Sequence, residues 1–176
     1  MKKYFQMSLI LFVTIVAYSC NSVSKYPIDK PSIKVDTNLI GLWKMDEDTN
    51  VHDFFVLEKY DEHNYAFTYM NHEGSNRVFE NVQAFFSDVN NTRFLNVHYN
   101  PGMDETYDGR GYFFMKVVEM DPQGWSMTLS KYSDTTLKLI TDPQQVREHI
   151  AKNINNHMYF NKPVHFHKIL PLMYCK

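Results

Sequence analysis

His165 and His167 stand two apart, and on a strand that spacing turns both imidazoles to one face, where two nitrogens can meet one zinc or copper ion. A third ligand would have to come from elsewhere, with His157 and His149 as the candidates. No ligand motif supplies it, and no metal is assigned. Asp104, Glu105 and Asp108 crowd one stretch, but their spacing fits no calcium loop and reads as solvated charge. The two cysteines, Cys20 and Cys175, lie 155 positions apart. Cys175, beside the terminal Lys176, reads as an incidental thiol, and it can pair with Cys20 in an oxidising compartment only if Cys20 stays unmodified. The sequence contains no nucleophile elbow, phosphate-gripping glycine loop or zinc-protease helix. No cofactor and no enzyme activity are expected.

The aromatic side chains carry more. The 176 residues include 12 tyrosines and 13 phenylalanines, types that fit a pleated, half-buried surface. Tyr65, Phe67, Tyr69, Phe94 and Tyr112 are candidate lining residues for a pocket that takes an apolar ligand. A competing reading fills the barrel interior with such rings and leaves no cavity.

What must position them is a run of strands. Apolar and polar residues alternate with period two over Ile40 to Met45, His52 to Tyr60, Tyr65 to Met70, Arg77 to Val89, Thr92 to Tyr99, Gly111 to Met120, Gly124 to Tyr132 and Thr135 to Ile140. Turn-forming clusters separate them, among them Asp61-Glu62-His63-Asn64, Asn90-Asn91, the long Asn100 to Arg110 loop and Asp121-Pro122-Gln123. The period then changes. Asp142 is a candidate N-cap with Pro143 at the first helical position, and Val146, Ile150 and Ile154 fall four apart, which predicts an amphipathic helix from Asp142 to about Asn155. Val164 to Ile169 alternates again as a short ninth strand, expected outside the barrel. The fold class is mainly β: an eight-stranded antiparallel up-and-down barrel with one C-terminal helix and that ninth strand. Closure removes the exposed edges of an open sheet.

Composition fits one domain, with 44% apolar and 22% charged residues. Lys2 and Lys3 precede an apolar run from Met7 to Ala17, too short for a comfortable membrane span, and small residues follow, the pattern of a secretory signal over residues 1–19. A chain starting at Cys20 carries 16 basic against 20 acidic groups, a net charge of −4. Such a surface gives phosphate backbones nothing to bind, and no nucleic-acid partner is expected. Residues 20–38, with Pro27 and Pro31 among Ser, Lys, Asp and Asn, read as a flexible tether, and residues 39–176 as the folded domain.

Two resemblances add to this reading. Ala17-Tyr18-Ser19-Cys20 resembles the lipobox of bacterial lipoproteins, which implies that Cys20 becomes the mature N-terminus and carries acyl chains such as palmitate. That implies a location in the bacterial cell envelope and a membrane as partner through the lipid anchor. Gly41-Leu42-Trp43 on the opening strand, with the order of strands and helix, is similar to the G-x-W motif and layout of the lipocalins. The resemblance implies an eight-stranded cup with Trp43 plugging its closed end and a helix packed outside. In that family an arginine packs across the tryptophan from the end of the last barrel strand, and the positional match here is Lys138, a cation without the flat guanidinium. The function so implied is a membrane-anchored lipoprotein that binds a small hydrophobic ligand, a lipid or fatty acid. The rival is a filled barrel that serves as a structural or protein-binding envelope module.

Overall fold

The computed structural model describes residues 23–46, 53–71, 78–99 and 111–171. Eight strands run through them: β1 (Gly41–Met45), β2 (Asp53–Lys59), β3 (Tyr65–Asn71), β4 (Val78–Val89), β5 (Thr92–Tyr99), β6 (Gly111–Met120), β7 (Ser126–Lys131) and β8 (Val164–Pro171). One α-helix, α1 (Pro143–Asn153), lies between β7 and β8. Each strand pairs antiparallel with the next, and β8 pairs antiparallel with β1, so the sheet closes into a barrel. Gly41 makes the seam possible. A Cβ there would stand 2.5 Å from the carbonyl oxygen of Leu170.

The strand that closes the seam is not the expected one. Thr135–Leu139 is a 3-10 helix rather than an eighth strand: the Asp134 carboxylate caps it, accepting from the Thr136 amide at 2.8 Å, and Leu137 is buried. Val164 to Ile169, expected outside the barrel, belongs to β8 and supplies the eighth barrel strand. There is no ninth strand among the described residues. The helix therefore interrupts the barrel sequence instead of following it. Period-two alternation over six residues does not separate a strand from a short capped turn, and the aspartate cap decides for the turn.

The helix forms as its residues dictate. Asp142 accepts from the Gln144 amide at 2.9 Å, Pro143 opens the first turn, and Val146, Ile150 and Ile154 are buried. They pack in a cluster with Phe94, Phe114, Tyr132 and Leu137, on the outside of the barrel. A second cluster fills part of the interior, with Trp43, Phe55, Leu57, Tyr65, Phe86, Leu95 and Leu129 among its members. The sheet is thus buried on both faces where α1 covers it, which is why its strands lack a clean polar face. Among the described residues no helix is long and apolar enough to cross a membrane.

The segment read as a tether is part of the fold from Val23 onward. Ser24 exchanges two backbone hydrogen bonds with Tyr112, at 2.8 and 2.6 Å. Ile28 is buried in the outer cluster, and its amide donates to Asn96 Oδ1 at 2.9 Å. Asn96, fully buried, donates in turn to the Phe85 carbonyl and to Ser87 Oγ. Asp29 pairs with Arg147 of α1. Ile33, Val35 and Leu39 then pack against the interior cluster. Ile28, Ile33, Val35 and Leu39, spaced among polar residues, help to dock a segment whose composition reads as linker.

Candidate functional site

Strand alternation sends one set of side chains into the barrel. Met45 of β1, Phe55 and Leu57 of β2 and Phe67 of β3 face Val82 and Phe86 of β4 and Leu95 and Val97 of β5. Phe113 and Met115 of β6, Met127 and Leu129 of β7 and Phe166 of β8 complete the wall of a cavity of about 310 Å³. All of these side chains are apolar, so an occupant is held by shape and by removal of its surface from water. The volume sits at the lower end of the range usual for small-molecule sites, about 300 to 1,000 Å³.

One end of the barrel is closed by the chain before β1. The 3-10 helix Thr37–Leu39 lies there, with the β2–β3 and β6–β7 turns. Fully buried Trp43 stacks on Phe55 with ring centroids 5.9 Å apart, and its indole Nε1 donates to the Leu39 carbonyl at 3.0 Å. Tyr65 is buried beside it, its hydroxyl accepting from the Asp36 amide at 2.7 Å, and burial pushes its phenol up to about 12. Lys168 of β8 sets its Nζ 5.1 Å from the Trp43 ring centre and 5.6 Å from that of Trp125, and donates to the Asn38 carbonyl. Burial lowers the Lys168 pKa. Lys138, the expected cation across Trp43, is instead exposed on the 3-10 helix. The position moves to Lys168 because β8, and not Thr135 to Ile140, is the last barrel strand.

The candidate lining residues separate into three groups. Phe67 lines the cavity, and Tyr65 points inward at the closed end. Tyr69 pairs through its backbone with Phe55 and Phe79, but its side chain lies outside the described residues. Phe94 and Tyr112 belong to the outer cluster and do not reach the cavity. Phe94 faces Phe160, and Tyr112 packs on Phe85 and on His98, whose pKa burial lowers. A one-residue change of phase along β5 and β6 exchanges the two faces. The signal that identifies the inner face is the absence of polar groups: Leu95 and Val97, or Phe113 and Met115, carry none, whereas Asn96, His98 and Lys116 interrupt the outer set. Of the thirteen described residues that line the cavity, Phe67 alone is among the candidates read from the sequence.

The histidine pair is brought together with a different partner. His167 Nδ1 lies 2.5 Å and His165 Nε2 3.7 Å from oxygens of Asp46, which follows β1, and His165 Nδ1 lies 3.0 Å from Thr128 Oγ1. His149 is drawn elsewhere, its Nε2 2.6 Å from Asp134 Oδ2. Among the described residues, no group of three histidines, cysteines or acids is arranged to hold a metal ion. Cys20, Cys175, Asp104, Glu105 and Asp108 lie outside the described residues. Comparison of the chain with protein-family models, with curated proteins and with solved structures yields no match, so the cavity is interpreted from its own geometry.

Proposed function

We propose that the protein is an envelope lipoprotein, anchored through acylated Cys20, whose lipocalin-like barrel takes a small hydrophobic ligand such as a fatty acid or another lipid-derived chain. The observation that supports this reading most is the apolar cavity of about 310 Å³ inside a barrel that is otherwise filled at its closed end. A void of that size lined only by carbon and thioether side chains costs stability when empty and recovers it when an apolar chain enters. The anchor keeps the barrel where such chains are concentrated.

The test is a titration of Cys20→Ala protein with a fluorescent fatty acid. Saturable binding at one site is expected, and it is lost in the double substitution Val97→Phe with Leu129→Trp, which fills the cavity from two walls while circular dichroism stays that of a folded barrel. Absence of binding, or binding that survives the filling, removes the ligand reading. For the anchor, wild-type protein sediments with membranes and Cys20→Ala does not.

A further inference from the structure

We infer that the short link between Cys20 and Ser24 turns the cavity end of the barrel toward the bilayer, so that the lipid surface itself is the partner of that end. The inference rests on the acyl anchor proposed above. It starts from the first residues the fold holds down.

Ser24 is fully buried and bonded in both directions to Tyr112, the second residue of β6. On that side of β6, β7 pairs as far as Met115, the Tyr132 amide donates to the Phe114 carbonyl, and Ser24 occupies the edge beyond. Gly111 admits the crossing: a Cβ there would stand 2.5 Å from the Ser24 carbonyl oxygen. The start of β6 lies at the barrel end where β1 finishes and β8 begins, opposite the end closed by Leu39 and Trp43. Met45 and Phe113, at that same end, line the cavity.

Chain length then sets the orientation. Three residues lie between Cys20 and Ser24, four steps along the chain, so the acylated residue stays within ~14 Å of the pinned one even when the link is fully extended. A strand as long as β6, tilted as in a barrel, separates the two ends by ~25 Å. The anchor can bring the cavity end to the headgroups and leaves the closed end, with its Trp43 floor, on the far side.

The experiment uses the lipidated protein carrying Cys175→Ser, reconstituted into phosphatidylethanolamine and phosphatidylglycerol vesicles that contain a nickel-chelating headgroup. A nitroxide is placed at Lys162→Cys, exposed just before β8, or at Gln123→Cys, exposed in the β6–β7 turn of the closed end. Relaxation enhancement by nickel is expected to be several-fold larger at position 162 than at 123. Inserting a Gly/Ser stretch of ~20 residues before Val23, with a root-mean-square reach of ~25 Å, should abolish that difference. Equal or reversed enhancement with the protein on the vesicles overturns the orientation and leaves the anchor standing. A difference that survives the insert overturns the role of the link. Protein that does not enter the vesicle fraction overturns the anchor, and the orientation with it.

Discussion

The barrel has two hydrophobic clusters made of the same kinds of side chain, and they differ in what holds them. The outer cluster, between the sheet and α1, is crossed by polar contacts: Asn96 gripping the Ile28 amide, Asp134 bonded to His149, Arg147 to Asp29. Among the described residues, the interior cluster has polar groups only at its closed end, at Trp43 and Tyr65, and borders a void elsewhere. The comparison teaches that the outer layer fixes the position of the chain, whereas the inner layer leaves space. A barrel whose core is partly unfilled has to draw more of its stability from the other face of the same sheet.

The sharpest break of this comparison is a pair of adjacent truncations on β6. Phe114→Ala empties a fully buried place under α1 and should cost ~3–5 kcal/mol in urea unfolding. Met115→Ala, one residue on and facing the cavity, should cost no more than about half as much, because part of its surroundings is already void. Equal losses would mean that the interior is packed as tightly as the outside.

A smaller effect is expected from Asn96→Ala. It strips partners from the Ile28 amide, the Phe85 carbonyl and Ser87 Oγ, and should cost ~2–3 kcal/mol. Hydrogen exchange should then quicken at Ile28 before it does in the strands. Unchanged protection at Ile28 would show that apolar contacts alone dock the segment.

The smallest effect is in acid. Burial acts to raise the Asp134 pKa, but hydrogen bonds from the Thr136 amide and hydroxyl and from His149 outweigh it and hold the carboxyl below its ordinary value of 3.8. Stability from this group is therefore complete above the unfolded value and is lost as the pH falls through the depressed folded one. Asp134→Asn should flatten the acid decline of stability between those values, while Met115→Ala, which alters only the interior, should keep the wild-type slope. The same slope in both variants would place the acid sensitivity elsewhere.

Much of the architecture was legible in the residues. Period-two alternation located β1 through β7, and Asp142 with Pro143 and the fourfold spacing of Val146, Ile150 and Ile154 located α1, because these signals are local. Less of the site was legible. Of the five candidate lining residues, Phe67 faces the cavity and Tyr65 the closed end, while Phe94 and Tyr112 face outward. Where a helix covers the outer face, aromatic content no longer distinguishes inside from outside.

What the sequence determined by itself is therefore β1 to β7, the helix α1 and its Asp142 cap, since backbone alternation and capping act within a few residues. Tertiary structure decided the rest. Closure was assigned to β8 rather than to Thr135–Leu139, because only a strand with both neighbours in register can complete the seam. Contact also decided the cation over Trp43, the docking of residues 23–39 and the face each β5 and β6 side chain takes. Those outcomes depend on burial against residues distant in sequence, and burial is a property of the assembled fold.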